Sequence, residues 1–312
     1  MRHKTDWLKD ARWGVFTHYL VKPEMSAEQW QRQVDAFDVD GLARQLRSVG
    51  APYICLTIGQ NSGHFCAPNA TYDELTGIRP SKCSRRDLVS DLADALAVHG
   101  IRLMAYLPAG APAHDKTACE RLQWGWGFQG PWPAVHGGPT TGKRIAEFQR
   151  KWEAICRDWS MRFGRKVSGW WIDGCYFADD MYNFPDEPNW SSFAAALRAG
   201  NLDSLLAFNP GVRSRVVKHC PVEDYTAGEV DYSLPALLQG RFLDGAQLHI
   251  LSFLGPTWGA APPRFPLELV VGYTKYVNAC EGVITWDVPI HPSGLVPEPF
   301  LEQLAAIARA VR

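Results

Sequence analysis

The sequence predicts an α/β fold, a single TIM-type (β/α)8 barrel over residues 1–312, and three observations carry that expectation. Short apolar, β-rich runs alternate with longer segments of helical period along the whole chain, the pattern of parallel strands joined by crossover helices. Eight such units fit in 312 residues, the usual size of the barrel. The rival, a doubly wound open sheet, loses its nucleotide-binding versions, because no G-x-G-x-x-G follows a strand and no G-x-x-x-x-G-K-[ST] occurs. No linker, low-complexity tract or internal repeat divides the chain.

Taken in order, Arg12–His18 reads as the first strand and Asp40–Val49 as the helix after it. Pro52–Ile58 is the second strand. The helix Arg86–His99 follows, with Leu88, Leu92 and Leu96 at i, i+4 spacing and a stop at Gly100. Arg102–Leu107 is the third strand, Lys143–Phe163 a long amphipathic helix and Val167–Ile172 the fourth strand. The later strands are Ser204–Phe208, a short run near Glu223–Ala227, Gln247–Phe253 and Gly282–Trp286, with helices near Ser191–Arg198, Pro266–Asn278 and Glu298–Val311. The Pro/Gly-rich stretches Ala109–Ala113, Gly130–Gly142 and Gly255–Pro266 follow strands and read as long loops on the active face.

Composition narrows the function. With 32 Lys+Arg against 33 Asp+Glu, the chain lacks the charge footprint of a nucleic-acid or anionic-membrane binder. No apolar run approaches the roughly 20 residues of a membrane helix, and Met1–Asp6 leads into amphipathic sequence without an apolar signal core. A cytoplasmic protein is expected, or a periplasmic or secreted one if a signal peptide was trimmed. None of the eight cysteines forms a C-x-x-C pair, so buried free thiols are expected rather than a zinc ribbon or a disulfide framework. The 13 Trp, 10 Tyr and 14 Phe fit either a large barrel core or a ring-shaped ligand stacked on indole faces.

In a barrel, ligands meet residues at the carboxyl ends of the strands. That rule selects His18, Gln60, Asn61, His64, Tyr106, Asp173, Asn209, Glu229, His249, Trp286 and Asp287. Asp173 stands out, because it closes the apolar run Gly169-Trp170-Trp171-Ile172 and Gly174 follows it. A carboxylate there is held by rigid backbone and flanked by indoles, as a nucleophile or base requires; an Asp capping the next helix is the competing reading. A glycosidase needs a second carboxyl group of opposite protonation state across one bond. Glu229 lies just past a strand end, and Glu223, Asp224, Asp179, Asp180 and Asp287 compete with it. No H-x-x-x-H or H-x-H occurs, and neither a metal nor a cofactor is expected.

Five segments, in order, resemble one family. Trp7-Leu8-x3-Arg12-Trp13-Gly14-Val15-Phe16-Thr17-His18-Tyr19, Gly50-Ala51-Pro52-Tyr53-Ile54-Cys55-Leu56-Thr57 and Arg86-Asp87-Leu88-Val89 resemble the opening, the second strand and a helix start of the α-L-fucosidases of glycoside hydrolase family 29. Trp171-Ile172-Asp173-Gly174 resembles the segment that holds that family's nucleophile, and Asp224-Tyr225-x3-Glu229 the segment that holds its acid/base. The resemblance spans essentially the whole chain and implies the family's barrel without its C-terminal β-sandwich. Three positions depart from it. The family's "HHDGF" turn reads Gln60-Asn61-Ser62-Gly63-His64, its Asn-Arg after the fifth strand reads Asn209-Pro210, and its "LLN-x-G-P" ending reads Ile284 to Pro289. The chemistry-bearing acids persist while sugar-reading positions change, which alters the sugar accepted more than the reaction.

A retaining exo-glycosidase is therefore expected, α-L-fucosidase-like, with Asp173 as nucleophile and Glu229 as general acid/base. His18, Gln60, Asn61, His64 and Tyr106 are expected to bind the terminal sugar, Trp171 and Trp286 to wall the pocket, and Asp287 to share in binding. A carbohydrate is the expected partner. Retention requires carboxyl groups about 5–5.5 Å apart and inversion about 6.5–9.5 Å. The alternatives are a glycosidase of other sugar specificity, an inverting one using Asp287, or a sugar-binding barrel without catalysis.

Overall fold

The computed structural model describes residues 3–124, 144–177, 181–237 and 240–311. Seven parallel strands, β1 (Trp13–Thr17), β2 (Tyr53–Thr57), β3 (Arg102–Pro108), β4 (Val167–Asp173), β5 (Leu205–Phe208), β8 (His249–Phe253) and β9 (Val283–Asp287), form one curled sheet. Its order is β5-β4-β3-β2-β1-β9-β8, and β6 (Phe242–Leu243) and β7 (Ala246–Gln247) make a small separate antiparallel pair. Each barrel strand from β1 to β4 leads into a crossover that carries helix, among the described residues none follows β5, and helices Leu267–Ala279 and Glu298–Val311 follow β8 and β9. Within the described residues, the chain is an α/β barrel.

The ring closes through residues 224–230. The Asp224 N–H donates to the Leu206 carbonyl on β5, while the Thr226 and Val230 N–H groups donate to Gln247 and Leu251. Only isolated parallel bridges form here, Tyr225 with Gln247 and Glu229 with Leu251, so the sixth position is a bridging segment rather than the regular strand expected near Glu223–Ala227. Gly228 is the cause. Its φ is +61°, and a Cβ at this position would meet the His249 carbonyl oxygen at 1.9 Å. Only glycine lets the chain run this close in a left-handed conformation.

Side chains alternate across the sheet with period two. Phe16, Tyr53, Met104, Tyr106, Trp171, Leu205, Tyr225 and Leu251 pack together inside the barrel. Their neighbours Ile54, Ala105, Trp170, Leu206, Ile250 and Trp286 join the larger core between sheet and helices. Strands β1, β2, β5, β8 and β9 are therefore buried along their whole length, as parallel strands covered on both faces must be. The helical layer contains four short helices that period alone did not reveal: Asp6–Ala11, Ala27–Asp35, Ala70–Thr76 and Lys116–Leu122. Side-chain caps start three of them, from Ser26, Asn69 and Asp115. The eight cysteines are free and buried. Among the described residues no helix is long and apolar enough to cross a membrane. The expected loop Gly130–Gly142 lies outside the described residues.

Trp286 belongs to the outer layer, which corrects its expected place on the pocket wall. It is fully buried, and its indole N–H donates to Thr274 Oγ1 at 3.0 Å on the helix Leu267–Ala279. Its neighbours Thr285 and Asp287 take the inward positions of β9, bonding Tyr53 and His18. Trp286→Ala is expected to cost about 3–5 kcal/mol of stability, the usual range for emptying a buried indole site. Chemical denaturation of the variant measures it, and a cost below about 1 kcal/mol would contradict this placement.

Candidate active site

The inward register delivers one polar side chain after another to the carboxyl end of the barrel. Tyr106 and Asp173 stand near the ends of β3 and β4, His18 and Asn209 just past β1 and β5, and Glu229 on the bridging segment. They surround a cavity of about 390 Å³ whose lining includes His18, Gln60, Tyr106, Trp171, Asp173 and Glu229, with Phe16, Leu20, Leu251 and Trp258 as its apolar part. That is toward the small end of the about 300–1,000 Å³ typical of ligand pockets. A larger cavity, about 660 Å³, lies among Lys9, Arg12, Lys275 and Glu281 at the foot of the barrel, away from the face where such folds do chemistry.

Asp173 is ringed by donors. Tyr106 Oη donates to Oδ2 at 2.6 Å, with Gln60 Nε2 at 3.4 Å, and Gln60 also donates to the Tyr106 hydroxyl. Oδ1 accepts from the Gly174 N–H at 2.8 Å, Tyr176 Oη at 3.2 Å and Asn209 Nδ2 at 2.8 Å. Burial, then the nearby Asp173 charge, push the Tyr106 phenol well up, so it stays a donor. Both Asp173 oxygens thus act as acceptors, each from more than one donor.

Glu229 differs. The hydrogen bond recorded for its carboxyl group comes from Asn209 Nδ2, at 2.7 Å to Oε2. One amide nitrogen thus spans both acids, and the two oxygens it reaches are no more than about 5.5 Å apart. Burial, followed by the charge of Asp173, pushes the Glu229 carboxyl up to about 7, against the opposing pull of Asn209 and His18. Two carboxyl groups this close resist a second charge, so the less solvated one keeps its proton.

On the opposite wall, His18 Nδ1 pairs with Asp287 Oδ1 at 2.8 Å, which leaves Nε2 for a ligand. Burial opposes protonation of this ring, but Asp287, Asp173 and Glu229 together outweigh it and raise its pKa. Asp287 is 1% exposed and its second oxygen accepts the Gly259 N–H at 2.6 Å, so it orients His18 and does not itself line the pocket. Trp171 stacks on Tyr106 at 5.6 Å and donates its indole N–H to the Ala227 carbonyl, a rigid pocket wall.

His18, Gln60, Tyr106, Trp171, Asp173 and Glu229 are brought together as expected from sequence; the other expected residues stand elsewhere. The turn closed by the Gly63 N–H on the Gln60 carbonyl puts Asn61 at its corner, where its own carbonyl accepts from His114, off the pocket. His64 is buried against Trp30 at 6.0 Å, and burial, then Lys82, push its pKa down to about 4, so it is a neutral core imidazole. His249 sits lower in the barrel, held by Thr226 and Thr285. Of the competing acids, Glu223 is buried and accepts the N–H groups of Phe208, His219 and Cys220, and Asp224 pairs with Arg198 at 2.6 Å. Asp179 and Asp180 lie outside the described residues. Tyr176 and Trp258, absent from the sequence reading, come from loops with no periodic signal; Asn209 was visible as a strand-end residue but not as the link between the acids. Among the described residues no group of three or more His, Cys, Asp or Glu is placed to hold a metal ion.

No protein-family model matches the sequence, and no curated protein matches it. In shape the chain is similar to an endo-fucoidan hydrolase from glycoside hydrolase family 107, with TM-score 0.72 and 16% identity over 98% of this chain and 53% of that one. The chain therefore spans about half the length of that protein. A second endo-fucoidan hydrolase of the same family gives TM-score 0.69 and 15% identity over 100% of this chain and 94% of that chain. Alpha-L-fucosidase isoenzyme 1 from Paenibacillus thiaminolyticus gives 0.62 and 15%, over 98% and 75%. Likeness at these identities establishes the fold.

The amide bridge has a measurable consequence. Asn209 stabilises ionised Glu229, so Asn209→Ala is expected to raise the Glu229 pKa above its value of about 7, read by carbon NMR of labelled glutamate side chains. An unchanged or lowered value would show that the amide does not hold this carboxyl group.

Proposed function

We propose that the chain is a retaining exo-glycosidase acting on α-L-fucosides, with Asp173 as nucleophile and Glu229 as general acid/base. The observation that carries this reading is the Asn209 bridge, which brings Asp173 Oδ1 within about 5.5 Å of Glu229 Oε2, a carboxyl group that burial and the Asp173 charge push up to about 7. Retaining glycosidases separate their carboxyls by about 5–5.5 Å, whereas inverting ones leave about 6.5–9.5 Å for a water molecule. The fucose-acting names of the structural neighbours support the sugar class, and the small cavity supports removal of one terminal residue.

The residues divide the reaction between them. Asp173 attacks the anomeric carbon and forms a glycosyl ester as the bond to the leaving oxygen breaks. Glu229 gives its proton to that oxygen. Then, as a carboxylate, Glu229 takes a proton from water, and the water oxygen displaces Asp173 from the same carbon. The donors on Asp173 hold it aimed, and the Tyr106–Trp171 stack fixes Tyr106 as one of them. His18 and Gln60 face the cavity with groups suited to sugar hydroxyls.

Asp173→Ala is expected to lower kcat/KM on an aryl α-L-fucoside about a thousandfold or more. Added azide should then yield a glycosyl azide of inverted configuration, while the wild type releases sugar of retained configuration, both read by proton NMR. Activity of Asp173→Ala within about tenfold of wild type would end the proposal. Because Glu229 must be protonated to act as acid, activity should fall as pH rises through about 7. That alkaline limb should vanish in Glu229→Gln, measured on a substrate whose leaving group needs no proton.

A further inference from the structure

The loop that follows Glu229 carries an exposed aromatic ring. Tyr232 follows Glu229 by three residues and is 69% exposed. A single exposed ring is ordinary, but this one is built into a chain of contacts that leads into the cavity. It meets Phe253 edge-on at 5.6 Å, and the same Phe253 ring meets Trp258 at 4.7 Å. Trp258 lines the cavity and lies 5.6 Å from His18.

Arg264 fixes the outer half of this chain. Its guanidinium lies 3.8 Å over Phe253 and 5.9 Å from the Tyr232 ring centre. It donates to the carbonyls of Asp231 at 2.8 Å and Phe253 at 3.2 Å, tying the loop after Glu229 to the end of β8. The ring faces are therefore set before any ligand arrives, which lowers the ordering cost of stacking on them.

We infer that Tyr232 and Trp258 form a leaving-group subsite that stacks the flat apolar face of the departing half of the substrate, an aryl ring or a second pyranose. The inference rests on the glycosidase reading. A proton donor must touch the leaving oxygen, so the departing group emerges beside Glu229, where the chain places Tyr232 three residues on. Stacking on aromatic rings is sequence- and linkage-tolerant, so the subsite selects a class of leaving group rather than one compound.

The test compares three donors of the same sugar: an aryl glycoside, a disaccharide and a glycosyl fluoride, whose leaving group has no face to stack. In Tyr232→Ala, the kcat/KM ratio of a stacking donor to the fluoride should fall about 3- to 10-fold, and Tyr232→Phe should restore it. A fall for the disaccharide assigns the subsite to a pyranose, and a fall for the aryl glycoside alone assigns it to an aryl ring. If the wild type turns over all three and neither ratio changes in Tyr232→Ala, the subsite falls and the glycosidase reading stands. If the wild type turns over none, the glycosidase reading fails and the subsite with it. Because the Tyr232 ring is exposed, the variant should keep the wild-type melting curve, which separates a lost contact from a lost fold.

Discussion

One amide nitrogen sets the terms on which this pocket operates. Asn209 has two N–H hydrogens that diverge by a fixed angle, and it gives one to Asp173 and the other to Glu229. An sp² nitrogen can serve two acceptors well only when they sit on either side of it, so the amide acts as a spacer as well as a donor. Burial supplies the asymmetry. Asp173 accepts from several further donors, while Glu229, with the shared one, is pushed up to about 7 by burial and then by the Asp173 charge. The spacing of the two carboxyl groups thus comes from one side chain, and the raised Glu229 pKa from burial and the Asp173 charge, against that side chain's pull.

That amide is itself placed by backbone. The Asn209 N–H donates to the Ile172 carbonyl at 2.7 Å, and the Asn209 carbonyl accepts from the Cys175 N–H at 3.0 Å, so β4 and the turn after it hold its backbone at both ends. Glu223, one of the acids that competed for the catalytic role, contributes instead by holding the Phe208 N–H next to it and two N–H groups of the loop beyond. Burial pushes this carboxyl up to about 7 despite those three bonds. The positions of Asp173 and Glu229 therefore depend on hydrogen bonds made outside the cavity as well as in it.

Much of the barrel was legible in the sequence, because parallel strands buried on both faces must read as apolar runs and long amphipathic helices must show their period. The strand-end rule then found Asp173, Tyr106 and His18 from position alone. Trp286 shows where the method stops. Neighbouring residues on a strand face opposite ways, and nothing in the run Ile284-Thr285-Trp286-Asp287 states which of them faces inward. Knowing that Thr285 bonds Tyr53 resolves it, and that is a contact between distant strands. Asn61 and His64 failed for a related reason: a turn reverses direction within three residues, so proximity in sequence to Gln60 did not mean a shared face. The short helices were too brief for period to register, although the Ser26…Gln29 capping box was a readable start signal for one of them.

The glycine before Glu229 bears on how such a protein could change over time. A side chain at position 228 would run into the main chain of β8, so the perch on which Glu229 stands is frozen even though its side chain is not. Drift or selection can alter what residue 229 is, and can rework the surface after it, without shifting where it projects from. A lineage starting from this architecture would explore new reactivities by changing functional groups at a fixed station, and moving that station would require rebuilding the sixth segment of the barrel.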